Sequence, residues 1–321
     1  MILNQNNFNK LLEKKFLFEK YPRVAIAVSG GPDSMALTQL LHKWTTLNKG
    51  SIQALIVDHQ IRDESNIEAN IVREYLEKKK INSKLFVINN SNVKKKTMNE
   101  ARKNRYDKLI NYCKNNDIFK LFVAHHYDDN LETFVLRKIG GSNFQGLRAM
   151  KVHSILNGIE ILRPLLYFNK KKITNFNKKN NIFYVRDPSN LNEKYSRIAV
   201  RNFLEKQKEF KKNIIYDFEK IKKYYPFYKK MIFQKFIKLN LFCSKNEIHL
   251  DSYKFFQSEI QIQAKIIELV FNYMKPNKKF TRYKKILNFL DILNSHEIET
   301  KTIFSGINVK KDEILIRFII Q

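Results

Sequence analysis

Six consecutive residues, Ser29-Gly30-Gly31-Pro32-Asp33-Ser34, have the chemistry to hold a phosphate. They follow the apolar run Val24 to Val28 and precede Met35-Ala36-Leu37 and Leu40-Leu41, which recur at helical spacing. A buried strand that passes through glycines into a helix with proline near its start gathers backbone N–H donors and the positive end of the helix dipole at one point. Anions bind there. No lysine follows the glycines as a Walker A loop requires, and Gly30-Gly31 lacks the G-x-G-x-x-G spacing of dinucleotide folds. The competing reading is an ordinary tight strand-to-helix turn.

Other groups could work beside this loop. Asp129 and Glu132 are three apart and share a helical face, where they could grip an ammonium or simply complement the helix dipole. Arg102 and Arg105 also share a face. A guanidinium fork there could brace a phosphate or polarise a carbonyl, and a solvated face paired with Glu100 or Asp107 fits equally well. His125-His126 would point to opposite faces of a strand and so do not read as one metal site. His126 is expected to orient substrate or nucleotide, and His125 to be structural. Arg197 and Arg201, one turn apart, could straddle RNA phosphates. The stretch from Lys206 to Lys230 adds Tyr224, Tyr225, Phe227 and Tyr228, which could stack on bases or form a core beneath a basic surface.

The elements that must position these groups alternate. Helices are expected near residues 8–20, 34–48, 66–79 and 98–115, with Ser65 and Glu68 as a capping box for the third. Strands are expected at 24–28, 52–57, 85–88 and 121–124, and a further helix follows Asp129. The short connections predict an α/β fold with a doubly wound parallel sheet, in which ligands lie beyond the carboxyl ends of the strands. The loop at Ser29, the cluster Asp58, His59 and Arg62, and the segment from His125 to Asp129 all fall at those ends. From Tyr195 to Asn294 the chain reads as helical, broken at Pro226 and Pro276, and the terminus reads as a β-hairpin turning at Lys310 to Glu313. The expected domains are residues 1–195 and a mostly helical 196–321.

Composition narrows the class. The 321 residues suffice for two domains, and no apolar run approaches the roughly 20 residues of a membrane span. The N-terminus has no signal-peptide layout, and two distant cysteines form no metal or redox spacing, which fits a cytoplasmic protein. A net charge of +29 predicts an anionic partner, nucleic acid first, although Lys/Asn/Ile/Phe bias throughout the chain accounts for part of the excess.

The motif S-G-G-P-D-S resembles the PP-loop of the ATP pyrophosphatases. The ordered set V-D-H-Q-I-R-D-E-S-N-I-E-A, E-A-R-K-N-R-Y, A-H-H-Y-D-D-N-L-E-T, R-P-L-L and D-P-S-N extends that likeness to bacterial tRNA(Ile)-lysidine synthases over about residues 23–204. The resemblance implies ATP and Mg²⁺ as cofactors. Ser29, Gly30, Gly31, Pro32, Asp33 and Ser34 would hold the nucleotide, with Asp33 on the metal, Asp58 facing the adenosine and Arg105 catalytic. Asp129 and Glu132 would bind free lysine, His126 would orient substrate or nucleotide, and Arg197 and Arg201 would meet tRNA(Ile) bearing a CAU anticodon. The implied reaction joins lysine to C2 of the first anticodon cytidine through an adenylated intermediate, releasing AMP and pyrophosphate. No membrane partner is implied, a homodimer is compatible, and a second C-terminal domain is expected to be absent. Two positions depart from the family pattern: Gly140-Gly141-Ser142-Asn143 stands for R-G-S-G, and Ile198 for an asparagine. The alternatives are a PP-loop tRNA thiolase, another PP-loop ligase, or a non-catalytic RNA-binding protein with a relict loop.

Overall fold

A computed structural model describes residues 1–58, 60, 65–88, 98–185, 196–276, 283–295 and 300–320. His59, Arg62 and the D-P-S-N segment lie outside the described residues. The chain divides into two compact units, residues 1–137 with 149–215, and residues 138–148 with 216–321.

In the first unit, α1 (Gln5–Lys15), β1 (Arg23–Val28), α2 (Pro32–Leu47), β2 (Ser51–Asp58), α3 (Ser65–Lys78), β3 (Asn82–Val87), α4 (Met98–Asn115), β4 (Lys120–Phe122) and α5 (Tyr127–Ile139) follow in turn. After α6 (Phe144–Leu147), which belongs to the second unit, the first unit continues with β5 (His153–Leu156), β6 (Ile159–Leu162), a 3₁₀ turn at Pro164–Tyr167, α7 (Lys170–Lys179) and α8 (Ser196–Lys206). The sheet order is β3-β2-β1-β4-β6-β5, and the doubly wound parallel sheet is as expected; β6 and the antiparallel edge strand β5 are additions.

Alternation along the central strands feeds two cores, one on each face. Val24, Ile26 and Val28 of β1 join Ile52, Ala54 and Ile56 of β2 in a core with Phe8, Leu12, Met35, Leu40 and Trp44. Ala25 and Leu55 face the other way, onto Leu109, Ile110 and Cys113 of α4. Chain order reverses at β1, whose neighbours are β2 and β4, so a crevice opens between the carboxyl ends of β1 and β4. The loop after β1 and the segment after β4 meet there.

The second unit has the expected helices and terminal hairpin, and differs from the expectation in two details. α9 (Lys208–Leu239) runs through Pro226 instead of breaking there. Pro226 is exposed, so solvent can satisfy the carbonyl left without its N–H partner. β7 (Asn240–Cys243) and β8 (Glu247–Asp251) then interrupt the helices α10 (Ser252–Phe256), α11 (Ile260–Met274) and α12 (Tyr283–Asn294). The terminal hairpin forms as expected, between β10 (Ile307–Lys311) and β11 (Leu315–Ile319), but within a five-stranded antiparallel sheet β7-β8-β11-β10-β9, with β9 at Thr300–Phe304. The expected capping box is not made either: Ser65 is the first residue of α3 and its buried Oγ has no partner.

α8 groups with the first unit, because Leu204 is buried and Arg201 Nε donates to Glu132 Oε1 at 2.7 Å.

Candidate active site

The turn after β1 is fixed by backbone conformation. Gly30 adopts φ +78°, a region that favours glycine, and a Cβ there would come within 2.7 Å of Val72 Cγ2. Its carbonyl accepts the Val185 N–H at 2.9 Å. Gly31 is the N-cap of α2, Pro32 its first residue, and Asp33 lies in the first turn. Ser34 Oγ donates to the Gly31 carbonyl at 3.0 Å and lies 3.2 Å from Ser29 Oγ, so two hydroxyls and the helix terminus converge. The loop is preorganised for an anion.

Two cavities meet at this loop and share Ser29, Gly31, Asp33 and Asp129. The smaller, of ≈ 190 Å³, runs over the strand ends Ala27, Val28, Leu55 and Val57 to Arg105, Tyr106 and His125. Burial lowers the proton affinity of Arg105, with Tyr106 opposing and Arg102 reinforcing that shift. Both arginines lie over the Tyr106 ring, at 5.5 Å for Arg102 and 5.8 Å for Arg105. Burial, and then the charges of Arg102, Arg163, Arg105 and Arg197, hold His125 well below the usual histidine range, and its buried Nδ1 has no partner. His125 is therefore neutral at pH 7.

The larger cavity, of ≈ 770 Å³, is lined by Asp33, His126, Asp128, Asp129, Glu132, Lys170 and Arg201 among others. Asp129 and Glu132 do share the cavity face of α5. Asp129 Oδ2 accepts the His126 N–H at 2.9 Å, while the Asp129 N–H points at His126 Nδ1 at 3.3 Å. His126 Nε2 lies 3.6 Å from Asp129 Oδ2 and 3.9 Å from Asp33 Oδ2. Glu132 is 2% exposed, and burial raises its pKa against the opposing pull of Arg201. One oxygen is bound to Arg201; the other, Oε2, is buried without a partner.

Lys170 was not foreseen. Its Nζ bonds both oxygens of Asp33, at 2.7 and 2.6 Å, and its backbone N–H donates to Asp128 Oδ2 at 2.7 Å. In a chain with 60 lysines and arginines, one residue of a Lys170-Lys171-Lys172 run carries no distinguishing signal.

Three expected site residues line neither cavity: Gly30, whose role is in the turn itself, Asp58 and Arg197. Asp58 is buried, with Oδ1 accepting the Gln60 N–H at 2.9 Å and Oδ2 unpartnered. Arg197 acts at a distance, its charge felt by His125 and Arg137. Among the described residues no group of three or more His, Cys, Asp or Glu side chains could hold a metal. Asp33 alone suits Mg²⁺, which takes one or two carboxylates together with substrate phosphates and water. Its two oxygens already hold a cation, the Lys170 ammonium.

A parallel sheet with a glycine-rich anion loop at its topological switch point defines a nucleotide-binding α/β protein. Residues 3–208 match the PP-loop domain family, and the chain belongs to this ATP-binding family. Part of the chain is similar to curated tRNA(Ile)-lysidine synthases. One from Wolbachia pipientis wMel is 44% identical over 186 residues, 57% of this chain and 43% of that protein. One from Orientia tsutsugamushi (strain Boryong) is 36% identical over 198 residues, 62% of this chain and 45% of that protein. The matches thus span less than half the length of these relatives. The fold is similar to that of the U34-tRNA thiolase of Methanococcus maripaludis, solved with its [4Fe-4S] cluster, at TM-score 0.55 and 16% identity over 67% of this chain and 78% of that one.

Proposed function

We propose that the protein is a lysidine-forming ligase of the cytoplasm. It uses ATP and Mg²⁺ to join free lysine to C2 of the first anticodon cytidine of tRNA(Ile) with a CAU anticodon. One observation carries this reading: the phosphate loop and the Asp129–Glu132 pair open onto one cavity. ATP held by the loop and an amine held by the carboxylates would therefore reach a common point. The likeness to tRNA(Ile)-lysidine synthases supports the choice of substrates.

Cytidine O2 attacks the α-phosphate, pyrophosphate leaves, and the lysine side-chain amine displaces AMP from C2. Adenylation is needed because an unactivated pyrimidine carbonyl is a poor electrophile. Ser29, Gly31, Ser34 and the α2 terminus receive the charge of the departing pyrophosphate. When bound, Mg²⁺ supplies further positive charge to the phosphates, with Asp33 as its protein ligand. Arg105, on the smaller cavity, faces the loop and is the residue assigned to polarise the cytidine or brace the α-phosphate. Asp129 and Glu132 hold the lysine amine, which titrates near ~10.4 in solution and must lose a proton to attack. Burial has raised the proton affinity of Glu132, which suits it to accept that proton. Arg201 is engaged with Glu132, so its service is to the amine site first; Arg197 is left for the RNA.

A thiolase reading lacks its sulfur chemistry. Of the two cysteines, Cys113 is buried with its thiol pushed up to about 12 by burial, and Cys243 lies in the other unit. The test separates the half-reactions. With α-labelled ATP, Mg²⁺ and tRNA(Ile) but no lysine, labelled AMP should become attached to the tRNA, and lysine should release it. Asp129→Ala should still adenylate the tRNA but lose the lysine-dependent release. Loss of both steps in this variant would contradict the assignment.

A further inference from the structure

We propose that Lys170 changes partners during the catalytic cycle. It neutralises Asp33 while no divalent cation is present, and passes to the phosphate oxygens when a metal takes its place. The inference rests on the reading of the Ser29–Ser34 loop as the ATP phosphate site.

Four observations carry it. The ammonium chelates both Asp33 oxygens, the same atoms a metal would use. The Lys170 backbone is held independently of the side chain: its N–H is bound by Asp128, and Asn169 caps α7 through the Lys172 N–H. A fold-stabilising role for this segment therefore needs no ammonium. The Lys170 side chain is 43% exposed, so its four-carbon stem is free to swing about a fixed Cα. Finally, Lys170, Asp33, Ser29 and Gly31 line one cavity, so a swing of the side chain alone suffices to redirect the charge.

The charge logic is direct. A bare Asp33 carboxylate at the mouth of an anion site would repel a polyphosphate, and the Lys170 ammonium cancels that repulsion. A divalent cation on the same oxygens would repel the ammonium, and a phosphate bound at the loop would offer it an anionic partner within the same cavity. Lys170 then contributes charge to the leaving pyrophosphate, which gains charge as the α–β bond breaks. His126 Nε2, 3.9 Å from Asp33 Oδ2, stays beside the carboxylate in both states.

Equilibrium binding of pyrophosphate and of AMP, with and without Mg²⁺, tests this in the full-length protein, Lys170→Met, Asp33→Asn and the double variant. In Mg²⁺, Lys170→Met should weaken pyrophosphate binding about tenfold and leave AMP binding within about twofold. Without metal, the lysine is committed to Asp33. Lys170→Met should then weaken pyrophosphate binding by uncovering the Asp33 carboxylate, and Asp33→Asn should recover that part of the loss, so the two substitutions should be non-additive. Lys170→Arg should recover part of the loss. Equal weakening of AMP and pyrophosphate would mark a merely structural residue, and strict additivity of the two substitutions would remove the partner exchange. Either result overturns the proposal. Wild-type protein that binds neither ATP nor pyrophosphate in Mg²⁺ would instead overturn the phosphate-site reading, and this role with it.

Discussion

The ion pair between Arg201 and Glu132 gives the sharpest prediction of stability. Glu132 is 2% exposed, bonded to Arg201 Nε at 2.7 Å through one oxygen and unpartnered at the other. Among the described residues, Arg201→Met removes the one cation that bonds this carboxylate. Stripping a buried carboxylate of its partner costs about 3–5 kcal/mol when no water can enter. The Arg201 side chain is 39% exposed, so solvent reaches the space it leaves and the expected cost falls to about 2 kcal/mol at pH 7. Trp44 is the sole tryptophan and is 2% exposed in the core of the first unit, so its fluorescence during urea unfolding reports that unit alone. The pH dependence has a definite sign. Burial already raises the Glu132 pKa, and loss of Arg201 raises it further. The penalty is therefore complete above the folded-state pKa. It shrinks as pH falls through that value, and vanishes below the ordinary glutamate value near ~4.3. Arg201→Met with Glu132→Gln should recover most of the loss at pH 7. A cost below about 0.5 kcal/mol, or one that does not change between pH 7 and pH 4.5, would refute the reasoning.

Three further outcomes follow from single positions. His125 is held neutral well below its usual range, so its contribution is complete above about 6.5 and is lost as pH falls. His125→Gln should therefore reduce the wild-type loss of stability between pH 7.5 and 5.5 by about 1.4 kcal/mol, read from Trp44 unfolding curves at both pH values. Gly30→Ala should cost about 1–3 kcal/mol by the same probe, because φ is +78° and the new methyl would meet Val72 at 2.7 Å. Pro226→Ala should stabilise the second unit by about 1 kcal/mol, less than the ~3 kcal/mol of a proline in a helix interior because Pro226 is exposed in α9, and should raise the midpoint of a far-UV circular dichroism melt.

What the sequence reveals depends on the range of the physics involved. The phosphate loop is legible because a six-residue string sets its own backbone path, and α4 falls at Met98–Asn115 where periodicity places it. The joint placement of Asp129 and Glu132 follows from helical spacing once α5 is recognised. Lys170 and Asp33 are 137 residues apart, and Arg201 and Glu132 are 69 apart, so these pairs exist only through the fold. β7 and β8 were hidden for a different reason. Leu239 and Leu241 continue the apolar texture of α9, and the cue lay in the alternation of Ile248 and Leu250, both fully buried on one face of β8. Pro226 misled because a helix breaker is weak on an exposed helical face. Ser65 misled because capping depends on where the helix begins, and the helix begins at Ser65 itself.

Incorporation of labelled lysine into tRNA transcripts with a CAU anticodon, in ATP and Mg²⁺, tests the central claim most directly. The account predicts label in isoleucine tRNA and none in methionine tRNA, one AMP and one pyrophosphate released per lysine joined, and loss of all three in Asp33→Ala. ATP cleavage to AMP without lysine incorporation would contradict the assigned nucleophile, and the absence of any cleavage would contradict the phosphate loop as a working site.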